Sequence, residues 1–329
     1  MAWSDFTAKP SWNIVDLHNR WDSYWYLDIV NNGYYTRGGQ FELANVAFFP
    51  VYPALIKIVG AFFLGNFALA GWLISIAFLF MSAIFLYKLV KEFHPKIDPE
   101  LSIIFLLAFP TAFFLNVIYT ESLFLFISLA CFYYCFKKNF LAAGIFGFVG
   151  AITHSNGVFL FIPIAWEYWR SFGWKINKNS WALLAVPVGS AIIPIYHYFK
   201  FNNLFLFFQY ESRWGRNFNI NWDHLQFFSH PADVNIFMDI AFTLLAIIST
   251  YFIFKKISAL YGFYMLGTIL SAITSGTMMS MGRYLLVMFP LFILLASVKN
   301  KLFRQSWLFA SIMFLALDII LFVNYYWAG

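Results

Sequence analysis

The stretch Arg20-Trp21-Asp22-Ser23-Tyr24-Trp25-Tyr26-Leu27-Asp28 sets two carboxylates, Asp22 and Asp28, among tryptophans and tyrosines. A carboxylate near a low-dielectric boundary has its pKa raised toward a useful value. It can then take a proton from a hydroxyl, which makes Asp22 a candidate general base. Arg20 could hold that carboxylate ionised or grip a phosphate, although a solvated ion pair at a membrane surface uses the same residues without chemistry. Glu121, after Tyr119-Thr120, lies between two apolar runs, where a charge is costly unless it is used or caps a turn. The segment Gln209-Tyr210-Glu211-Ser212-Arg213-Trp214-Gly215-Arg216 places two guanidinium groups beside aromatic rings. Guanidinium forks suit phosphate oxygens, and the rings suit a sugar or a polyprenyl chain. Arg283, beside Tyr284 after Ser280-Met281-Gly282, adds a third cation. Snorkelling at the interface is the alternative for each arginine. His154, in Thr153-His154-Ser155-Asn156-Gly157, can donate to a phosphate or sugar, or can cap a turn. The sequence contains no Walker loop, no HExxH and no dinucleotide fingerprint, so nucleotide hydrolysis and zinc proteolysis gain no support.

The elements that must position these residues are membrane helices. Of 329 residues, 62% are hydrophobic, 23% aromatic and only 11% charged, against about 25% charged in a soluble domain. The net charge of +6 is spread as small Lys and Arg clusters between apolar runs, so no basic face for nucleic acid arises. Cys131 and Cys135 are four apart on one helix face and are expected as buried thiols rather than a metal pair. The expected fold is all-α and polytopic, a single domain over 1–329. Residues 1–66 form an outer catalytic loop with interfacial helices, one of them at 54–64. The transmembrane body covers 67–329, with a polar outer loop at 200–235 that includes Asp223. Ten spans are expected: 67–90, 101–119, 122–136, 140–153, 157–169, 181–199, 236–254, 257–274, 284–298 and 307–327. Several are shorter than the roughly 20 residues that cross a bilayer.

Alternate loops on one side hold Lys88, Lys91, Lys96, Lys137, Lys138, Arg170, Lys175, Lys178, Lys255, Lys256, Lys299, Lys301 and Arg304. That side is cytoplasmic by the positive-inside rule. The mixed acid and base residues, Asp22, Asp28, Glu121, His154, Arg213, Arg216 and Arg283, then all face out. The first 66 residues would have to cross the membrane ahead of their first span, without a signal. The expectation is therefore that a helix precedes this chain.

Five motifs occur in order: Arg20-Trp21-Asp22 with Gly33-Tyr34; Phe48-Phe49-Pro50-Val51-Tyr52-Pro53; Tyr119-Thr120-Glu121-Ser122; Gln209 through Arg216; and Ser280-Met281-Gly282-Arg283-Tyr284 followed by Phe289-Pro290. Together they resemble the PIG-V-type mannosyltransferases, relatives of the enzyme that adds the second mannose to GPI anchors. The resemblance implies a GT-C fold and inverting transfer of a hexose, mannose in the family, from a polyprenyl-phosphate donor to a lipid or glycan acceptor hydroxyl. It also implies a multi-pass protein with its active face outside the cell membrane, or in the lumen of the endoplasmic reticulum if eukaryotic. The family's early acid falls on Asp22. Arg20, Trp21, Asp28, Tyr52, Glu121, His154, Gln209, Arg213, Arg216, Arg283 and Tyr284 become candidate substrate-binding residues. The family's first transmembrane helix has no counterpart here, in keeping with the missing helix above, and His154 stands where the family usually has Arg.

The expected partners are thus the bilayer, a polyprenyl-phosphate-linked sugar and a lipid or glycan acceptor, with no nucleic acid. No metal ligand set is assigned, and a divalent cation is one candidate cofactor. Arg213, Arg216 or Arg283 would neutralise the departing phosphate. Arg283 is the expected clamp because a helix holds it. The rival readings are a transporter or flippase for a lipid-linked saccharide and a non-catalytic membrane subunit. A transporter should show internal repeats and midplane ionisable residues. No repeat is visible, and Glu167, Asp239 and Asp318 lie near span ends.

Overall fold

The computed structural model describes residues 13–37, 42–173, 175–216 and 234–327, and Asp223 and the segment 217–233 of the expected outer loop lie outside them. The described residues form α-helices and short 3-10 turns, with no strand. In chain order the helices are α1 (Ile14–Leu17), α2 (Ser23–Asn32), α3 (Val51–Ala61), α4 (Phe67–Phe93), α5 (Pro99–Leu107), α6 (Glu121–Phe136), α7 (Phe140–Ala151) and α8 (Phe161–Phe172). They continue as α9 (Trp181–Phe201), α10 (Leu206–Arg213), α11 (Val234–Lys256), α12 (Ala259–Thr274), α13 (Met281–Val287), α14 (Pro290–Ser297) and α15 (Lys301–Val323).

Local chemistry sets where many of these helices start. The side chains of Asn66, Asn139 and Asn300 accept the backbone N–H of Leu69, Ala142 and Phe303. Each satisfies a donor that a helix start would otherwise leave orphaned. Asp98 caps α5 in the same way, with Pro99 at the first helical position, where its missing N–H costs nothing.

Four helices are long and apolar enough to cross a membrane: Phe67–Phe93, Trp181–Phe201, Asn235–Lys256 and Lys301–Val323. Their outward faces carry large apolar residues, such as Phe80, Phe199, Ile248 and Phe309. Four of the other helices are apolar but shorter, α3, α6, α7 and α12.

The organising helix is α6. Thirteen of its 16 residues are buried, and it packs against α4, α7, α8 and α13. Its apolar run is therefore core facing protein, although hydropathy alone reads the same for core and for lipid-facing surface.

Two expected spans are broken in the structure. The run 101–119 stops as a helix at Leu107, and Phe109-Pro110 leads into a 3-10 turn over Ala112–Leu115. The run 284–298 divides into α13 and α14 at Phe289-Pro290. Proline has no backbone N–H and its ring crowds the carbonyl four residues earlier, so neither run continues as one helix through Pro110 or Pro290. Phe114, Leu115, Ile118, Leu285, Phe289 and Leu291 in these pieces are fully buried in protein. The helix expected at 54–64 is present three residues earlier as α3, Val51–Ala61, which packs on α2 and α4.

The two ends of α6 differ in chemistry. At its C-terminal end, Glu92 pairs with Lys137 at 2.6 Å and the buried Glu167 pairs with Lys138 and Arg170. These contacts tie the ends of α4, α6 and α8 together. Its N-terminal end, roughly 24 Å away at 1.5 Å per residue, carries Glu121.

Candidate functional site

Asp22 lies just ahead of α2, in a turn fastened to the segment that leads into α6. The Ile118 N–H donates to His18 O at 3.1 Å. The Asp22 N–H donates to the Tyr119 hydroxyl at 3.1 Å, and that hydroxyl donates to Arg20 O at 3.3 Å. Tyr26 and Thr120 join hydroxyls at 3.2 Å. Trp21 adopts φ +52° within this turn. A bulky side chain in the left-handed region carries roughly 1–3 kcal/mol of strain, which the surrounding contacts hold in place.

Arg283 joins this turn to α6. Its Nη1 donates to Asp22 Oδ2 at 2.8 Å, its Nε donates to Glu121 Oε1 at 2.7 Å, and its Nη2 lies 2.6 Å from the same oxygen. The guanidinium carbon sits 4.7 Å from the centre of the Tyr119 ring and 5.7 Å from that of Trp327, close enough for cation–π attraction. On the chain side, Ser280 at φ +69° starts α13. The next glycine, Gly282, has its carbonyl bonded to the Thr111 hydroxyl at 2.8 Å. A Cβ there would meet Thr111 Cγ2 at 2.7 Å, so only glycine permits this approach.

A second charged group includes the neighbour of Arg283. The Arg216 Nη1 donates to the Tyr284 hydroxyl, and its Nε lies 3.4 Å from Glu211 Oε2. Burial works against the Arg216 cation, but Tyr284 and Glu211 more than offset it and raise its pKa above the ordinary arginine value. Burial also raises the Glu211 pKa, against the pull of Arg216. His154 stacks on Phe124 with centroids 4.7 Å apart. Its Nδ1 accepts the Asn156 N–H at 3.1 Å, so the neutral ring carries its proton on Nε2. Burial, with Arg283 and Arg216 nearby, lowers its pKa to about 3.

Both groups line one cavity of about 510 Å³, with Trp21, Trp25, Phe48 and Trp214 among its walls. Trp25 stacks on Phe48 at 5.9 Å and meets Trp214 edge-on at 6.0 Å. Comparisons with protein families, with curated proteins and with solved structures found no match. The cavity must therefore be read from its own chemistry.

Asp22, Trp21, Glu121, His154, Arg213, Arg216, Arg283 and Tyr284 all line the cavity, from five separate parts of the chain. The other sequence candidates stand apart from its lining. Arg20 is buried, donates to the carbonyls of Asp16 and Asn19, and lies 4.2 Å from the Tyr325 ring centre. Asp28 accepts from Asn32 and Asn45, each at 2.8 Å, and so ties α2 to the turn at Asn45–Ala47. Tyr52 is fully buried and joins α3 to α4 through Gly71 O and the Ser75 hydroxyl. Gln209 accepts from Asn203. On α10 the cavity is lined by Phe207, Glu211 and Arg213, and Gln209 is not part of that lining.

Arg283, the expected phosphate clamp, has all three guanidinium nitrogens on carboxylates. Arg213 donates to Glu42 O at 2.6 Å and lies 3.9 Å from the Tyr210 ring centre. Tyr119 and Trp214 are the participants that residue type did not single out. Both stand inside the five motifs that carry the resemblance, which was the available signal. For a divalent cation, no group of three or more His, Cys, Asp or Glu side chains that could hold a metal occurs among the described residues. The two carboxylates at the centre already share a guanidinium.

Proposed function

We propose that this chain is a multi-pass membrane glycosyltransferase of GT-C-like architecture, with about ten membrane crossings and its cavity on the extracytoplasmic side. It transfers a hexose, mannose by resemblance, from a polyprenyl-phosphate donor to a hydroxyl of a lipid or glycan acceptor, with inversion. One observation carries the reading. Asp22 has Oδ2 on Arg283 and no hydrogen bond to Oδ1 among the described residues, inside an aromatic cavity that also holds Arg216.

In this mechanism Asp22 Oδ1 takes the proton of the acceptor hydroxyl as its oxygen attacks the anomeric carbon. The bond from that carbon to the phosphate oxygen breaks, and the electron pair leaves with the phosphate. The phosphate gains negative charge as it departs, and Arg216 with Arg213 stabilises it. Arg283 holds Asp22 in position and stays off the phosphate. His154, neutral with Nε2–H, supplies a further donor without adding charge. The apolar walls suit a lipid-linked sugar arriving from within the membrane.

The purified protein in detergent, incubated with radiolabelled polyprenyl-phosphate-mannose and extracted membrane lipids, should move label into an acceptor with inverted anomeric configuration. Label that crosses vesicle membranes while still on its original lipid would instead favour a flippase.

A further inference from the structure

Glu121 is 1% exposed, and its two oxygens differ. Oε1 carries both the Nε and the Nη2 of Arg283. Oε2 is buried without a hydrogen-bond partner among the described residues, yet the residue lines the cavity. Buried carboxylate oxygens are rarely left bare, so each one asks which group donates to it.

No neighbouring protein hydroxyl supplies that donor: the Ser122 hydroxyl is itself buried without a partner among the described residues and makes no hydrogen bond to Oε2, and the two others are committed elsewhere. Thr120 is with Tyr26, and Tyr119 donates to Arg20 O. A phosphate is excluded by charge, since Oε2 belongs to an anion. The missing donor is an O–H or N–H of a ligand. The aromatic walls formed by Trp25 and Trp214 present faces that suit a sugar ring.

Depth then separates donor from acceptor. The side chain of Glu121 is 2% exposed, that of Arg283 14% and that of Asp22 18%. The acceptor approaches Asp22 nearer the mouth, whereas the sugar that is to be transferred lies further in. The geometry points to Glu121 as the residue that selects the donor sugar, accepting one of its ring hydroxyls at Oε2. This rests on the transferase reading above. It assigns to Glu121 the discrimination between a hexose with that hydroxyl and one without.

The test uses polyprenyl-phosphate donors lacking each ring hydroxyl in turn, with the matching deoxyfluoro compounds. A site built around a substrate hydroxyl rejects the analogue without it by large factors. For wild type, one deoxy donor should lose on the order of 10²-fold or more in kcat/KM, and the others far less. Its deoxyfluoro counterpart should fare as badly, because fluorine cannot donate to a carboxylate. In Glu121→Gln the carbonyl can stay on Arg283 while an amide N–H replaces Oε2. The fluoro compound should then be used better relative to the deoxy one than it is by wild type.

Equal use of all deoxy donors by wild type would overturn the inference. So would full wild-type tolerance of the fluoro compound, since the group would then be donating. If Glu121→Gln does not fold, the wild-type series alone decides. If no polyprenyl-phosphate donor is used at all, the transferase reading fails separately. Binding of methyl hexosides and their deoxy derivatives, read by quenching of the cavity tryptophans, still tests Glu121. A uniform response across that series counts against it.

Discussion

Replacing Arg283 with lysine keeps the charge and removes the fork. In the native site the guanidinium spans two carboxylates, with contacts of 2.8 Å to Asp22 and of 2.7 and 2.6 Å to Glu121. A lysine ammonium is one point charge on a flexible stem and cannot reproduce that span. Glu121 is the deeper partner and has the greater need of a cation, so the lysine should settle there and release Asp22. One lost hydrogen bond between charged groups is worth about 1.5–3 kcal/mol. At 1.36 kcal/mol per decade of rate, that predicts a fall in kcat/KM of roughly 10- to 150-fold.

The fall should appear in kcat, because the group that loses its orientation is the base and not the phosphate site. The assay is transfer from radiolabelled polyprenyl-phosphate-mannose over a range of donor concentrations. Circular dichroism should confirm that the variant keeps its helices. A lysine variant with wild-type kcat would refute the positioning argument. A variant with a raised donor KM alone would return Arg283 to the phosphate.

Arg216→Lys should do the converse, raising the donor KM while kcat changes less, since among the described residues the Arg216 side chain pairs with Tyr284 and the more distant Glu211; equal effects on both constants would count against this division of labour. His154 is held to about 3 and so stays neutral from pH 5 upward, and His154→Gln should leave the acid limb of the kcat/KM profile in place between pH 5 and 8. A shifted limb would show that His154 titrates in that range. For topology, Ser212→Cys, at an exposed position on α10, should react with an impermeant thiol reagent in intact cells, and Lys256→Cys should not. Both native cysteines are buried, which keeps the background low, and the reverse pattern would put the cavity on the cytoplasmic side.

Residue type and spacing were enough to read the helical class, the long apolar helices and most of the charged residues of the cavity, while most of its apolar lining was not singled out. Glu121 stood out because charge between apolar runs is costly without a use, Asp22 as a carboxylate among aromatic residues near a low-dielectric boundary, and Arg283 as a third cation. Their mutual contact was not legible, since it depends on Tyr119 pinning the Asp22 turn and on Gly282 letting α13 approach Thr111. The same missing information made Arg283 resemble a free phosphate ligand. Arg20 and Tyr52 share the motifs of the site, and Asp28 lies between two parts of one, but all three tie local backbone and neighbouring helices, and a short motif does not separate the two roles. The apolar runs at 101–119 and 284–298 read as unbroken helices because hydropathy registers burial and not the continuity of a helix. Only Pro110 and Pro290 marked where those runs would break.

The central claim rests on Asp22 and is most directly tested by Asp22→Asn, which keeps the size of the side chain and removes its basicity. General-base contributions are typically 10²–10⁴-fold. Transfer from radiolabelled polyprenyl-phosphate-mannose should therefore fall by at least about 100-fold, with donor binding retained, as judged by protection of the cavity tryptophans from a soluble quencher. An asparagine variant that transfers mannose at the wild-type rate would contradict the account.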